Sequence, residues 1–176
     1  MKNFSHLRFP GFKGEWQEVK IKDLGKIEIG NTPPTSNHEY YDQNGLMFIT
    51  SKDIKSNLIT NSENKLSQKG KQLVTIVPKN TLLVTCYANI GKNCLTTTEC
   101  AFNQSIIGLI PKTTNDPYFL LLISYQWSQK ILKIGNGTTF KGINKEDFSN
   151  LKTYIPPERE REIKNQNNPT FLLSLL

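Results

Sequence analysis

The chain has 176 residues, 36% of them hydrophobic and 21% charged, with a formal net charge of +7. This length predicts one domain with a sizeable core, and the positive charge favours a polyanionic partner. No run of about 20 apolar residues is present, so we expect no membrane-spanning helix. The first residues also lack the apolar stretch of a secretory signal, and we therefore expect a cytoplasmic protein.

The positive charge is concentrated in the middle of the sequence. Between Lys52 and Lys92, seven lysines stand against two acids, Asp53 and Glu63. This excess favours nucleic-acid binding, although a solvated basic surface would give the same count. Before the C-terminal segment there is only one arginine, Arg8, so bidentate reading of guanine by arginine has little support.

The cysteines and histidines indicate neither a metal site nor a catalytic centre. Cys86, Cys94 and Cys100 match no zinc-binding spacing, and we expect free thiols in a reducing compartment. His6 and His38 have no nucleophile or ligand set beside them in the sequence. We expect no catalytic residues, no metal and no cofactor.

The N-terminal part predicts short strands separated by turns. Residues 7–16 are turn-rich and aromatic, and we expect them to pack on the domain. Val19–Leu24 alternates apolar and polar residues and fits a strand or a short helix. A break at Gly30–Pro34 leads into a polar loop that ends at the turn Asn44–Gly45, and Leu46–Thr50 follows as a buried strand.

Further strands are predicted in the middle of the chain, after a weak turn or helix at Leu66–Gln72. They are punctuated by proline, asparagine and glycine. Their ranges are Val74–Val77, Thr81–Cys86, Lys92–Thr97 and Ser105–Ile110.

Pro117–Ile134 is predicted as the long helix. Pro117 suits its first turn, and Gly135 suits its C-terminal end. One apolar stripe recurs at helical spacing and indicates a face in the core. The stripe consists of Leu120, Ile123, Trp127, Ile131 and Ile134. The predicted fold class is α+β, with a twisted, mostly antiparallel β region packed with helices.

The segment Gly135–Ile163 predicts a glycine-rich loop, a short helix, one strand and a proline stop before a charged helix start. Asn144 can cap the short helix, because a side-chain oxygen at that position accepts from the first turn. The acidic Glu146 and Asp147 would lie in its positive first turn. Lys152–Ile155 alternates as a strand would, and two prolines end it.

The order of these segments resembles a target recognition domain in the specificity subunit of type I restriction-modification systems. The resemblance implies a sequence-specific DNA-binding chain that catalyses no reaction. In a complete system it also implies modification (methyltransferase) and restriction subunits as partners, and no membrane. The matching segments are LRFPGFKGEW, Gly30–Pro33, Gly45–Ile54, Val77–Leu83, Ala88–Lys92, Phe102–Ser105 and Gly137–Ile163.

A recognition domain places polar loop groups on bases and basic groups on phosphates. Asparagine can read adenine, and serine or threonine can reach either kind of base. Asn103 and Gln104 could equally satisfy buried backbone groups. The candidate DNA-binding residues are Thr35, Ser36, Asn37, His38, Tyr40, Lys52, Lys69, Lys71, Tyr87, Asn89, Lys92, Thr138, Thr139 and Lys141.

The resemblance divides the chain into a recognition domain of residues 1–157 and a C-terminal segment of residues 158–176. In the family, a long spacer helix follows the two prolines and docks the modification subunits. Here Asn165–Pro169 interrupts its start at Glu158, which predicts a truncated half-subunit with weakened assembly. Two alternatives remain open: a remnant of a fused restriction-methyltransferase, and a decayed fragment that acts only as an interaction module.

Overall fold

The computed structural model of the protein describes residues 15–87, 89–135 and 142–157. The helices are α1 (Gln68–Lys71), α2 (Pro117–Gly135) and α3 (Lys145–Asn150), with 3-10 turns at Ile21–Asp23 and His38–Tyr40. The strands are β1 (Gln17–Lys20), β2 (Gly25–Ile29), β3 (Tyr41–Ile49), β4 (Leu58–Ile59), β5 (Asn64–Leu66), β6 (Ile76–Val77), β7 (Leu82–Thr85), β8 (Asn93–Thr96), β9 (Cys100–Phe102), β10 (Ile106–Pro111) and β11 (Lys152–Ile155).

The described strands form three sheets. The largest has five strands in the order β2-β10-β7-β8-β4, the second has the order β5-β3-β9-β6, and β1 pairs with β11. The pairs β3–β9 and β4–β8 are parallel. The remaining described pairs are antiparallel, which confirms the predicted fold class.

The core lies on both faces of the five-stranded sheet. Successive residues of a strand point to opposite faces, and β7 shows this directly. Leu82 packs in the cluster that contains Trp127 of α2. Its neighbour Leu83 packs in the cluster that contains Phe102 of the second sheet. The sheet is therefore a middle layer between α2 and the second sheet, which explains why all four residues of β7 are buried.

The long helix is confirmed, and one member of its predicted stripe is corrected. Leu120, Ile123, Trp127 and Ile131 are buried, whereas Ile134 is 43% exposed. Ile134 lies in the last turn of α2. Helical spacing identifies the face that points inward, but it does not show how far the layer beneath the helix extends.

The polar loop is shorter than predicted, because β3 begins at Tyr41 and not after Gly45. Tyr41 and Leu46 both lie opposite Leu66, so the four residues between them form a bulge. Within that bulge the amide N–H of Asn44 donates to Asp42 Oδ1 at 2.9 Å. The turn-forming sequence thus produces a bulge inside a strand rather than a connection between strands.

Some short strands were not predicted, namely β2, β4, β5 and β9. β4 has two residues, and β5 and β9 have three each, which is too short for alternation to be recognised. Val19–Leu24 contains both predicted forms, since β1 runs to Lys20 and a 3-10 turn follows.

Residues 142–157 match the prediction for this part of Gly135–Ile163, whereas most of the predicted glycine-rich loop lies outside the described residues. Asn144 Oδ1 accepts from the amide of Asp147 at 2.8 Å and caps α3. β11 then pairs with β1, so the first and last described strands lie side by side. The predicted start of the spacer helix at Glu158 lies outside the described residues. No described helix is both long and apolar enough to cross a membrane.

Candidate nucleic-acid interface

Several loops meet at one end of the five-stranded sheet, which we call the loop end. β2 finishes there at Ile29, opposite Ile107 near the start of β10. β7 also finishes there, with Thr85 opposite Ile106, and β8 begins there. The segments at this end are Gly30–Pro34, the turn after β3, the β7–β8 hairpin, the turn Asn103–Ser105 and the segment before β4.

The loop after β2 is held firmly in place. A Cβ atom on Gly30 would lie 2.2 Å from the carbonyl oxygen of Phe102, so only glycine fits against this backbone. The hydroxyl of Thr32 donates to Gln104 Oε1. The hydroxyl of Tyr41 donates to the carbonyl oxygen of Pro33 at 2.9 Å. These contacts anchor the loop at its base and leave Thr35 and Ser36 exposed.

The segment from Asn37 to Tyr40 forms a short turn whose polar groups are partly in use. Asn37 Oδ1 accepts from the amide of Glu39 at 3.0 Å. A bidentate contact of Asn37 with adenine needs both its oxygen and its nitrogen, and would break this cap. His38 is exposed, while the carbonyl oxygen of Tyr40 accepts from the amide of Ser67. Thr35, Ser36 and His38 are exposed, as the predicted contact with bases requires.

Two of the predicted phosphate-binding lysines lie beside this turn on α1. The ammonium of Lys69 is 3.0 Å from Glu39 Oε2, with both side chains about two-thirds exposed. An ion pair this exposed contributes little to stability, so a phosphate can replace the carboxylate. Lys71 follows two residues later on α1, so it lies on a different face of this helix, and it is half-buried. Thr35, Ser36, Asn37, His38, Tyr40 and Lys69 form one surface, the polar-loop surface.

Lys52, Asn89 and Lys92 form a second surface at the loop end, the hairpin surface. The amide Nδ2 of Asn89 donates to Ser51 Oγ at 3.2 Å. The ammonium of Lys92 donates to the carbonyl oxygen of Ser51 at 3.3 Å. The β7–β8 hairpin is thus tied to the turn that carries the exposed Lys52.

Tyr87 has a packing role that the sequence did not reveal. It forms a bridge with Gly142, and a Cβ atom on Gly142 would lie 2.1 Å from a carbon of the tyrosine ring. The ring also packs against the cluster beneath α2 and lines a cavity of about 540 Å³ with Gln104 and Ile143. Thr138, Thr139 and Lys141 lie outside the described residues.

Near these surfaces, the carboxylate of Asp53 is hydrogen-bonded through both of its oxygens, and the thiols are buried. Asp53 Oδ2 accepts from the amide and hydroxyl of Thr50, and its Oδ1 accepts from the amide of Glu63. The three cysteines are free, as predicted, and all three are buried. Within the described ranges, no three His, Cys, Asp or Glu residues are grouped so as to hold a metal ion.

The predicted alternative for Asn103 and Gln104, in which these residues satisfy buried backbone groups, agrees with the contacts of Asn103 only in part. Asn103 Oδ1 accepts from the partly buried backbone amide of Ser105 at 3.2 Å and from its hydroxyl at 2.6 Å. Gln104 is exposed and accepts from the hydroxyl of Thr32, which is a side-chain group. Sequence reasoning missed Lys55 and Asn57 as site residues, although both belong to the loop end. Lys55 was visible only as one member of the lysine excess.

Known proteins with similar sequences are specificity subunits. The chain is 31% identical over 147 residues to the HindI specificity subunit of Haemophilus influenzae, covering 80% of this chain and 32% of that protein. It is 27% identical over 157 residues to the MjaIX specificity subunit of Methanocaldococcus jannaschii, covering 85% and 36%. The chain thus spans about a third of the length of these curated relatives.

The fold is also similar to that of a solved structure. The HsdS subunit from Thermoanaerobacter tengcongensis superposes with a TM-score of 0.66 at 18% identity, over 95% of this chain and 38% of that one. Residues 13–172 match the family model described as the type I restriction modification DNA specificity domain. This match covers most of the chain, which therefore belongs to the family of type I restriction-modification DNA specificity domains.

Proposed function

We propose that this protein binds double-stranded DNA sequence-specifically and directs the methyltransferase and endonuclease subunits of a type I restriction-modification system to a half-site. The family match over residues 13–172 carries the proposal. The recognition domain in this proposal extends to Pro157, and the protein acts in the cytoplasm.

The geometry of the loop end supports DNA binding. Sequence is read by polar groups that reach base edges, while cations on phosphates set the register of the protein on the duplex. The polar-loop surface offers exposed Thr35, Ser36 and His38, next to Lys69, which pairs with Glu39. The hairpin surface adds Lys52 and Lys92 at the loop end, where the base of the polar loop, Gly30–Pro34, also lies. Base-reading groups and phosphate-binding groups therefore belong to one continuous system of loops.

A non-catalytic role is part of the proposal. The curated relatives are named as specificity subunits, and neither the fused-enzyme remnant nor the decayed fragment is favoured by that similarity. We expect the purified chain to transfer no methyl group from S-adenosylmethionine and to cleave no DNA. Incorporation of tritium from labelled S-adenosylmethionine into DNA by the purified chain would contradict this part.

DNA binding is tested by fluorescence anisotropy with a labelled random-sequence duplex, followed by selection of bound sequences from the pool. We expect salt-dependent binding and enrichment of a defined half-site. The triple variant Thr35→Ala, Ser36→Ala, His38→Ala should keep its affinity for random DNA and lose the enrichment. The absence of duplex binding at low salt would contradict the proposal.

A matched control comes from the opposite end of the five-stranded sheet. Thr113 is exposed in the turn after β10, and β10 finishes there with Pro111 opposite Gly25 at the start of β2. The variant Thr113→Ala should retain both the affinity and the enriched sequence. Loss of enrichment in this control would show that the effect is not specific to the polar-loop surface.

A further inference from the structure

A shallow cavity of about 340 Å³ opens at the loop end, between the segment before β4 and the β7–β8 hairpin. Lys55 and Asn57 line one side, Gly91 and Lys92 line the other, and Tyr125 of α2 completes the wall. The volume equals that of about ten water molecules in the liquid, at about 30 Å³ each. A phosphate group fits easily within this space.

The cavity carries positive charge. Lys55 and Lys92 are both exposed, and none of the described residues that line it is acidic. The acid nearest in sequence, Asp53, accepts hydrogen bonds at both carboxylate oxygens from Thr50 and Glu63. The two ammonium groups are therefore not neutralised from within the wall, and the cavity favours an anion.

Neutral donors complete the cavity. The hydroxyl of Tyr125 donates to Asn57 Oδ1 at 2.8 Å, so the side chain of Asn57 can donate through its Nδ2. The carbonyl oxygen of Asn57 accepts from the amide of Leu95 at 2.8 Å, which fixes this segment to β8. In contrast, Asn93 donates through Nδ2 to two buried serines of α2 and belongs to the core.

Gly91 leaves room for a ligand beside these donors. It has a φ of +105°, and a Cβ atom built on it would meet no atom within 4 Å. Its backbone is therefore open to close approach, in a conformation that other residues rarely adopt. Lys92 follows directly, and its hydrogen bond to Ser51 sets the position of the hairpin relative to Lys55.

We propose that this cavity, the phosphate notch, binds a single phosphate of the DNA backbone between Lys55 and Lys92, with Asn57 as the neutral donor. This inference rests on the proposed function and names one contact point within it. A phosphodiester has two non-bridging oxygens that share one negative charge, and each of them can accept from one of the two ammonium groups. The notch lies at the same end of the sheet as the base of the polar loop, Gly30–Pro34.

The salt dependence of DNA binding tests the notch. The double variant Lys55→Gln, Lys92→Gln should reduce the steepness of the slope of log affinity against log salt by about 0.9, which is the value for one phosphate. If the two lysines contacted two separate phosphates, the reduction would be about 1.8. The matched control is Lys79→Gln, Lys112→Gln, because both lysines are exposed and lie at the opposite end of the sheet. Its slope should equal that of the unmodified chain.

A second measurement identifies the ligand. In 15N NMR spectra of the full chain, we expect the signals of the backbone amide of Gly91 and of the side-chain amide of Asn57 to shift. This should happen on addition of a duplex and also on addition of inorganic phosphate at constant ionic strength. These shifts should vanish in the Lys55→Gln, Lys92→Gln variant, whose other resonances report that it is folded. Shifts with inorganic phosphate but not with the duplex would assign the notch to a small phosphate compound and overturn the proposal.

The remaining outcomes separate this inference from the proposed function. Suppose that the unmodified chain binds the duplex. If the steepness of the slope is then unchanged in the double variant, or falls by about 1.8, the proposal about the notch is wrong and the proposed function stands. If the signals of Gly91 and Asn57 stay fixed during duplex binding, the notch is again wrong. If the chain binds no duplex at all, both proposals fail together.

Discussion

The indole Nε1 of Trp127 donates a hydrogen bond of 2.8 Å to Thr153 Oγ1, and both side chains are buried. Trp127 lies in the middle of α2 and Thr153 in β11, so this bond joins the long helix to the last described strand. β11 in turn pairs with β1. The contact therefore connects three segments that are distant in sequence.

Removing the acceptor should destabilise the protein. The variant Thr153→Val keeps the shape of the side chain but leaves the indole N–H buried without a partner, at a cost of about 1–3 kcal/mol. Chemical denaturation followed by tryptophan fluorescence measures the free energy of unfolding. The exposed Thr113→Val is the control and should change it by less than about 0.5 kcal/mol. Equal stability of the two variants would show that the hydrogen bond contributes nothing.

Gly30 should tolerate no side chain. A Cβ atom would lie 2.2 Å from the carbonyl oxygen of Phe102 and 2.3 Å from that of Asn103, and backbone atoms cannot rotate away. We expect Gly30→Ala to lower the free energy of unfolding by about 1–3 kcal/mol and to weaken DNA binding by displacing the polar loop. Thermal unfolding and anisotropy measure the two effects. The exposed Gln43→Ala should change neither, and an unaffected Gly30→Ala would contradict the packing at this loop.

The cysteines should be unreactive in the folded protein. Burial raises the pKa of Cys94 and of Cys100 to about 12, and also raises the pKa of Cys86. Because the thiolate is the nucleophile, alkylation at pH 8 should be negligible until the chain unfolds. Mass spectrometry after iodoacetamide treatment should find no label on the native chain and three in denaturant, one for each cysteine. Stoichiometric labelling of the native chain would contradict this burial.

The burial of the cysteines also determines how the free energy of unfolding changes with pH. A cysteine whose pKa is higher in the folded state stabilises the fold below the pKa of the unfolded thiol, near 9.0. This stability is lost as the pH rises towards the folded pKa, since the unfolded chain then releases protons more readily. The free energy of unfolding should therefore decrease above about pH 9. The variant Cys94→Ala, Cys100→Ala should show a weaker decrease.

The ion pair between Glu39 and Lys69 should weaken the binding of DNA. The two side chains form an exposed ion pair at 3.0 Å, and a phosphate that takes Lys69 must displace the carboxylate. We expect Glu39→Gln to strengthen binding to a random duplex at low salt, because it frees Lys69 and removes a negative charge. The control is Glu99→Gln, since Glu99 is exposed after β8 at the opposite end of the sheet. Equal affinities of the two variants would place Lys69 away from the DNA.

The predicted lysine contacts are tested together by salt dependence. The triple variant Lys69→Gln, Lys71→Gln, Lys92→Gln should flatten the slope of log affinity against log salt by up to about 2.7, if each lysine contacts its own phosphate. Lys71 is half-buried, so its contribution should be the smallest of the three. An unchanged slope would identify these lysines as a solvated surface only.

Local features of the structure were predictable because their causes are local. The cap of α3 by Asn144 depends on residues within one turn, and the inward face of α2 depends on helical spacing. β11 was predictable from the alternation of polar and apolar residues. Its end was predictable because the two prolines that follow have no N–H to donate. The sequence order of these segments was also sufficient to indicate the family that the comparisons show.

Only the tertiary structure decided which loops come together. β2 pairs with β10, so Ile29 and Ile107 are neighbours although 78 positions separate their numbers. Strand pairing depends on burial and register across the whole chain, and a polar loop residue carries no signal of the strands beneath it. The sequence by itself determined that Lys55 is a cation and Asn57 a hydrogen-bond donor. Their position opposite Lys92 at the loop end was decided by the parallel pairing of β4 with β8.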